Sequence, residues 1–181
     1  MKKTIYFNSK QLQDLKEYMP DDKPLANKII DSFEMLYKND ISLINRFPSD
    51  LQDYSGHHVG ERAIVFRFAH YLLNHIDNDY NYKKYDLDCE YNRNNINNKD
   101  LPEFPYGTYP DLIIHKRESN DHNLLIMEFK TWWNKNNNRD IKKIQGFMQK
   151  SGEYKYKYKY GLAVIINQDN VNIKCIRPVN E

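Results

Sequence analysis

The amino-acid sequence predicts a mixed α/β fold: a sheet covered by helices, preceded by a helical extension. Three observations predict it. Helical periodicity recurs in three runs, 9–19, 24–46 and 59–77, three strand-like runs lie between 85 and 130, and one helical segment at 140–150 separates these from two last strands at 160–167 and 171–179. The order helix, three strands, helix, two strands belongs to a sheet sandwiched by helices, and 181 residues suffice for one domain with its own core.

Each element has a local reason. Residues 9–19, SKQLQDLKEYM, start at Ser9, whose hydroxyl suits an N-cap, and stop before Pro20. Residues 24–46 open with Pro24, tolerated in a first helical turn, and place Ile29, Ile30, Phe33, Leu36 and Tyr37 at helical spacing. Pro48 and Gly56 then break the chain. The strongest helical pattern is 59–77, where Ile64, Phe68, Tyr71, Leu72 and His75 form a stripe that Ala63, Val65 and Phe66 widen towards full burial. Residues 85–93 alternate as a strand; 110–117 and 123–130 are two more, joined by the polar turn ESNDHN. Asp140 suits the N-cap of the helix over 140–150, and QDN turns between the last strands. Residues 94–109 and 134–139 read as polar loops. The expected division is a helical extension at 1–56 and a core at 57–181.

Hydrophobic residues make up 40% and charged ones 29%, the balance of a globular protein in water. The net charge of +2 gives no global basic field, so a polyanionic partner needs a local patch. The start, MKKTIYFNSKQLQ, is basic, but Ile5-Tyr6-Phe7 is too short for the apolar region of a signal peptide, and no run approaches membrane-spanning length. The expectation is a cytoplasmic protein with no membrane partner. Cys89 and Cys175 are isolated, and the six histidines, His57-His58 included, show no zinc-site spacing. No GxxxxGK[ST], GxGxxG or GxSxG occurs.

The chemistry lies in NLLIMEFK, residues 123–130. Strand alternation places Glu128 and Lys130 on one face with Leu124 and Ile126, so charges stand at the rim of a core, where they must be paired, solvated or metal-bound. An antiparallel hairpin with 110–117 brings Asp111 beside them. Opposite residue 128 or 130, Asp111 shares their face; opposite Phe129 it points away. Two converging carboxylates make a hard oxygen site for Mg²⁺ or Mn²⁺, with the Phe129 backbone carbonyl as a further ligand. Lys130 then either orients or deprotonates a water, or stabilises charge developing on a phosphate. The structural alternative is a rim salt bridge worth about 0–1 kcal/mol if exposed.

Pro110-Asp111 followed by Glu128-Phe129-Lys130 on the next strand resembles the motif of the PD-(D/E)XK, or restriction-endonuclease-like, nuclease superfamily, whose core order residues 59–167 match. The resemblance covers about two thirds of the chain. It implies metal-dependent cleavage of nucleic acid, DNA above all, with Asp111 and Glu128 as ligands and Lys130 as the catalytic lysine. It further implies a catalytic role for Glu61 on the first core helix, a supporting role for Gln145 and a possible homodimer. The tripeptide alone carries little, since D/E-x-K also occurs at Asp14, Asp21, Asp140 and Glu153 without a preceding Pro-Asp strand. The alternative function is a non-catalytic nucleic-acid- or protein-binding module on the same fold.

Further candidates flank this set. Glu90, on one face with Asp86 and Asp88, competes for a second metal position or belongs to a solvated strand face. In YKYKYKY, residues 154–160, Lys155, Lys157 and Lys159 share a face suited to phosphates and, with Lys142, Lys143 and Lys150, form the best basic patch; otherwise the tyrosines simply pack inward. Trp132 and Trp133 stack on substrate or anchor a loop, and His115 assists the site or packs within its strand.

Overall fold

The computed structural model describes residues 9–45, 58–94, 97–104, 107–151 and 155–179. Helices α1 (Ser9–Tyr18), α2 (Lys23–Asn39), α3 (Ile41–Ile44) and α4 (Glu61–Asp77) come first. Strands β1 (Asp86–Cys89), β2 (Arg93–Asn94), β3 (Asn97–Asn98), β4 (Leu112–His115) and β5 (Leu125–Thr131) follow, then helix α5 (Asn138–Met148) and strands β6 (Tyr160–Ile166) and β7 (Val171–Ile176). The main sheet has five strands in the order β1-β4-β5-β6-β7, and only β5 and β6 run parallel. Short connections join the antiparallel pairs β4–β5 and β6–β7, a longer segment carrying β2 and β3 separates β1 from β4, and α5 provides the crossover that the parallel pair requires.

Alternation sorts the side chains into two cores. Leu112, Ile114, Leu125, Met127, Phe129, Leu162 and Val164 are buried together with Phe33 of α2 and Ile64, Phe68 and Leu72 of α4. Phe68 stacks on Phe33 at 4.1 Å and meets Phe129 at 5.4 Å between ring centroids. Ile113, Ile126 and Ala163 point the other way, onto Ile144, Phe147 and Met148 of α5. Helices therefore cover both faces of the sheet. Leu15 and Met19, in α1 and just after it, join the first of these cores. Close contact of α5 depends on Gly161, where a Cβ would stand 2.3 Å from Ile144 and 2.6 Å from Met148. Among the described residues no helix is long and apolar enough to cross a membrane.

Several expectations are corrected. The helix expected over 24–46 ends at Asn39, because Asp40 turns its carboxylate to Arg67 (3.1 Å) and Tyr71 (2.5 Å) and the chain restarts as α3. Phe66 does not widen the buried stripe of α4; it is 65% exposed. The strand expected over 85–93 ends at Cys89, where Glu90 takes φ +53° and leaves the ladder. Residues 94–109 are not all polar loop: Leu101 and Phe104 are buried in the α5 core. Asp140 is not the N-cap of α5, which starts at Asn138 and turns Asp140 inward. The break at Pro48 and Gly56, and His57, fall outside the described residues.

Candidate active site

The site assembles where the end of β5 meets the first turns of α4 and α5. In the β4–β5 ladder Leu112 opposes Met127, so one further step puts Asp111 across from Glu128. That register meets the parity condition for a shared face. Asp111 Oδ2 accepts the backbone N–H of Phe129 at 2.7 Å, which locks the start of β4 to the end of β5. Glu128 shares its strand face with Ile126, beneath α5, and only 1% of its side chain is exposed.

Two lysines meet these acids. Lys143 of α5 donates to Glu128 Oε2 at 2.6 Å and to the Tyr109 carbonyl at 3.1 Å. Lys130 turns to the Phe129 carbonyl (3.0 Å), Glu61 Oε1 (3.3 Å) and Asp140 Oδ2 (3.2 Å). Glu61 opens α4 and Asp140 lies in the first turn of α5, so each acid sits at a helix N-terminus whose dipole favours negative charge. Four carboxyl groups thus face two ammonium groups.

Electrostatics follows from that imbalance. Burial, reinforced by the nearby Asp111 charge, pushes Glu128 well above the usual carboxylate range, and Lys143 only partly offsets this. Burial also raises Asp111, despite its bond from Phe129, and raises Glu61, despite Lys130. For Lys130, burial disfavours the ammonium, but Glu61 and Asp140 outweigh it and lift the pKa above the ordinary lysine value. Glu128 Oε1 is buried and has no hydrogen-bond partner. An orphaned carboxylate oxygen costs free energy unless a ligand, an ion or a proton meets it.

A cleft of about 580 Å³ opens beside these groups, lined among others by Asp111, Glu61, Phe66, Tyr109 and an Arg62–Glu90 pair at 2.9 Å. Among the described residues no cluster of three or more His, Cys, Asp or Glu side chains is gathered closely enough to form a metal cage by itself. The donors present suit a different arrangement. Mg²⁺ is commonly held by one or two carboxylates and several waters, and Asp111 with the orphaned oxygen of Glu128 supplies that donor set. The Phe129 carbonyl is meanwhile engaged by Lys130.

The other expected residues scatter. Lys142 lies outside on α5, paired with Glu103 at 3.2 Å. Lys143 points into the site instead of joining a surface patch. Lys155 and Lys157 are exposed, whereas Lys159 is held by Asp21 (3.2 Å) and Asp22 (2.8 Å). These three precede β6, which starts beside Leu125, the first residue of β5, whereas Lys130 stands near the other end of that strand. Tyr156, Tyr158 and Tyr160 pack inward, so this segment alternates as expected but lies away from the site. Gln145, two residues after Lys143, falls on a different side of α5. Glu90 binds Arg62. His115 is 2% exposed and pairs with Asp88 at 2.9 Å. Trp132 anchors its loop by donating to the Ile44 carbonyl at 3.2 Å, while Trp133 stacks on His58 at 4.3 Å.

In comparisons with known proteins, no family model matches the chain, and no curated protein or solved structure matches it either. Sequence reasoning missed Asp140 as a site residue. Its signal was present: Asp140 and Lys143 share a helical stripe with the buried Ile144 and Phe147, a place where charge needs a reason.

Proposed function

We propose that the protein is a metal-dependent nuclease of the restriction-endonuclease-like, PD-(D/E)XK type, hydrolysing phosphodiester bonds of nucleic acid, DNA foremost. The observation that carries this reading is the surplus of carboxylate at one point, with a buried oxygen of Glu128 left unpartnered beside Asp111 and a lysine close by. A structural ion pair would not need an unsatisfied acceptor.

In this reading Asp111 and Glu128 would hold Mg²⁺ or Mn²⁺, and the Phe129 carbonyl, which accepts from Lys130 with one lone pair, would offer its second as a further donor. A cation held there would supply Lewis-acid polarisation of the phosphate and a lowered pKa for a water molecule. Lys130, kept protonated by Glu61 and Asp140, acts as a positive charge beside the reacting phosphate rather than as a base. Glu61 and Asp140 orient that ammonium, and Lys143 steadies the Glu128 carboxylate.

The test incubates the protein with single- and double-stranded DNA and RNA in Mg²⁺, Mn²⁺ or EDTA, beside Lys130→Ala. Cleavage is expected only with metal, and the variant should lose at least about 10²-fold in rate. Mn²⁺ binding, measured directly, should survive in Lys130→Ala and disappear in Asp111→Ala. Wild-type protein that binds no Mn²⁺, or cleavage that Lys130→Ala leaves intact, would sink the proposal.

A further inference from the structure

Among the described residues six large hydrophobic side chains are exposed, and two of them, Phe66 (65%) and Tyr109 (52%), line the cleft beside Asp111. Phe66 lies on α4 one residue past the buried Ile64–Val65 pair, so the helix presents an aromatic ring to water where a polar residue would serve. Tyr109 is tied to the site through its carbonyl, which accepts from Lys143, while half of its side chain stays open to solvent. The cleft wall thus combines aromatic rings with the Asp111 and Glu61 carboxylates and Arg62, whose side chain is 84% exposed.

Exposed rings next to a phosphate-directed site suit stacking. A nucleobase offers a π-face to such a ring whatever its sequence, but only when it is unpaired and out of the stack. In a duplex the base faces are covered by their neighbours. The volume of about 580 Å³ lies in the range of pockets that enclose one small molecule, not a double helix.

We propose that this cleft binds an unpaired nucleotide, its base stacked on Phe66 or Tyr109 and its phosphate at the Asp111–Glu128 rim, so that the substrate is single-stranded nucleic acid. The inference rests on the phosphodiesterase reading above.

Fluorescence anisotropy in Ca²⁺, with labelled oligothymidine, oligouridine and a blunt DNA duplex, tests it; cleavage of the same three is followed in Mg²⁺ and Mn²⁺. Single strands should bind at least about tenfold tighter than the duplex. Phe66→Ala and Tyr109→Ala should each weaken single-strand binding roughly 5- to 100-fold without changing the melting temperature. Tyr80→Ala, at a still more exposed tyrosine that does not line the cleft, should bind as wild type does. The ratio of oligothymidine to oligouridine affinity assigns DNA or RNA. Equal affinity for duplex and single strands, or wild-type affinity in both cleft variants, overturns the stacking cleft; metal-dependent duplex cleavage would then still uphold the phosphodiesterase reading. A protein that neither binds nor cuts any of the three overturns both.

Discussion

Asp88 and Glu128 lie on the same face of one sheet, and both are carboxylates beneath a cover of protein, yet their surroundings differ. Asp88, 15% exposed, pairs one oxygen with His115 and Arg117 at 2.9 Å and gives the other to Arg117. Burial works against its charge, but the bonds from His115 and Arg117 prevail and hold its carboxyl well below the usual range. Glu128 has one partner, Lys143, and one bare oxygen, and it shares its space with Asp111. Burial there prevails and the pKa rises. A carboxylate kept to hold a fold acquires a full set of donors, whereas one left short of donors is poised for an ion or a proton from outside.

The largest expected effect comes from breaking the single pair at Glu128. Lys143→Met leaves a buried charge uncompensated and should lower stability by about 3–5 kcal/mol near neutral pH. Its removal raises the already raised Glu128 pKa further, so the deficit should shrink as pH falls and Glu128 takes up a proton. In a Glu128→Gln background the same substitution should cost much less. Denaturant melts of the single and double variants measure this, and additive losses would contradict the pairing.

A pH series in EDTA sharpens the comparison, because the two acids should pull in opposite directions. The folded pKa of Asp88 is depressed, so its contribution is present above the unfolded value near about 3.9 and fades as pH falls below it. Asp88→Asn should therefore fall below wild type by about 1.5–3 kcal/mol at neutral pH and converge with it in acid. The folded pKa of Glu128 is raised, so its contribution is present below about 4.3 and is lost as pH rises towards the folded value. Glu128→Gln should accordingly gain on wild type as pH rises. Parallel slopes for the two variants would erase the distinction between the clusters.

The smallest effect is expected at the exposed pair. Arg62→Ala separates Arg62 from Glu90, but with the arginine side chain 84% exposed the loss should stay within about 0–1 kcal/mol in thermal melts. A larger loss would mean that the cleft wall is structural.

How much of this was legible beforehand differs from residue to residue. Glu128 and Lys130 were readable because alternation depends only on local backbone geometry, and apolar residues at 124 and 126 named the face they share. The order of the longer helices and of the five main-sheet strands was readable for the same reason, from periods of two and 3.6, whereas the two-residue strands β2 and β3 and the four-residue α3 are too short to show a period. Asp140 was misassigned as a cap, since the local pattern of an acid before a helix is the same whether it caps or faces inward. The lysines at 155, 157 and 159 alternate as the sequence implies, but alternation says nothing about which end of the sheet they occupy.

By itself, then, the sequence determined the mixed α/β class, the order of the longer helices and of the five strands of the main sheet, and the shared face of Glu128 and Lys130, all consequences of short-range periodicity. Tertiary structure alone decided that Asp111 stands across from Glu128, that Lys143 turns inward to a carboxylate, and that Asp140 and Glu61 bracket Lys130. Strand register, the rotation of α5 over the sheet and the meeting of two helix ends join residues far apart in the chain. They are settled by how whole faces pack, which no local pattern encodes.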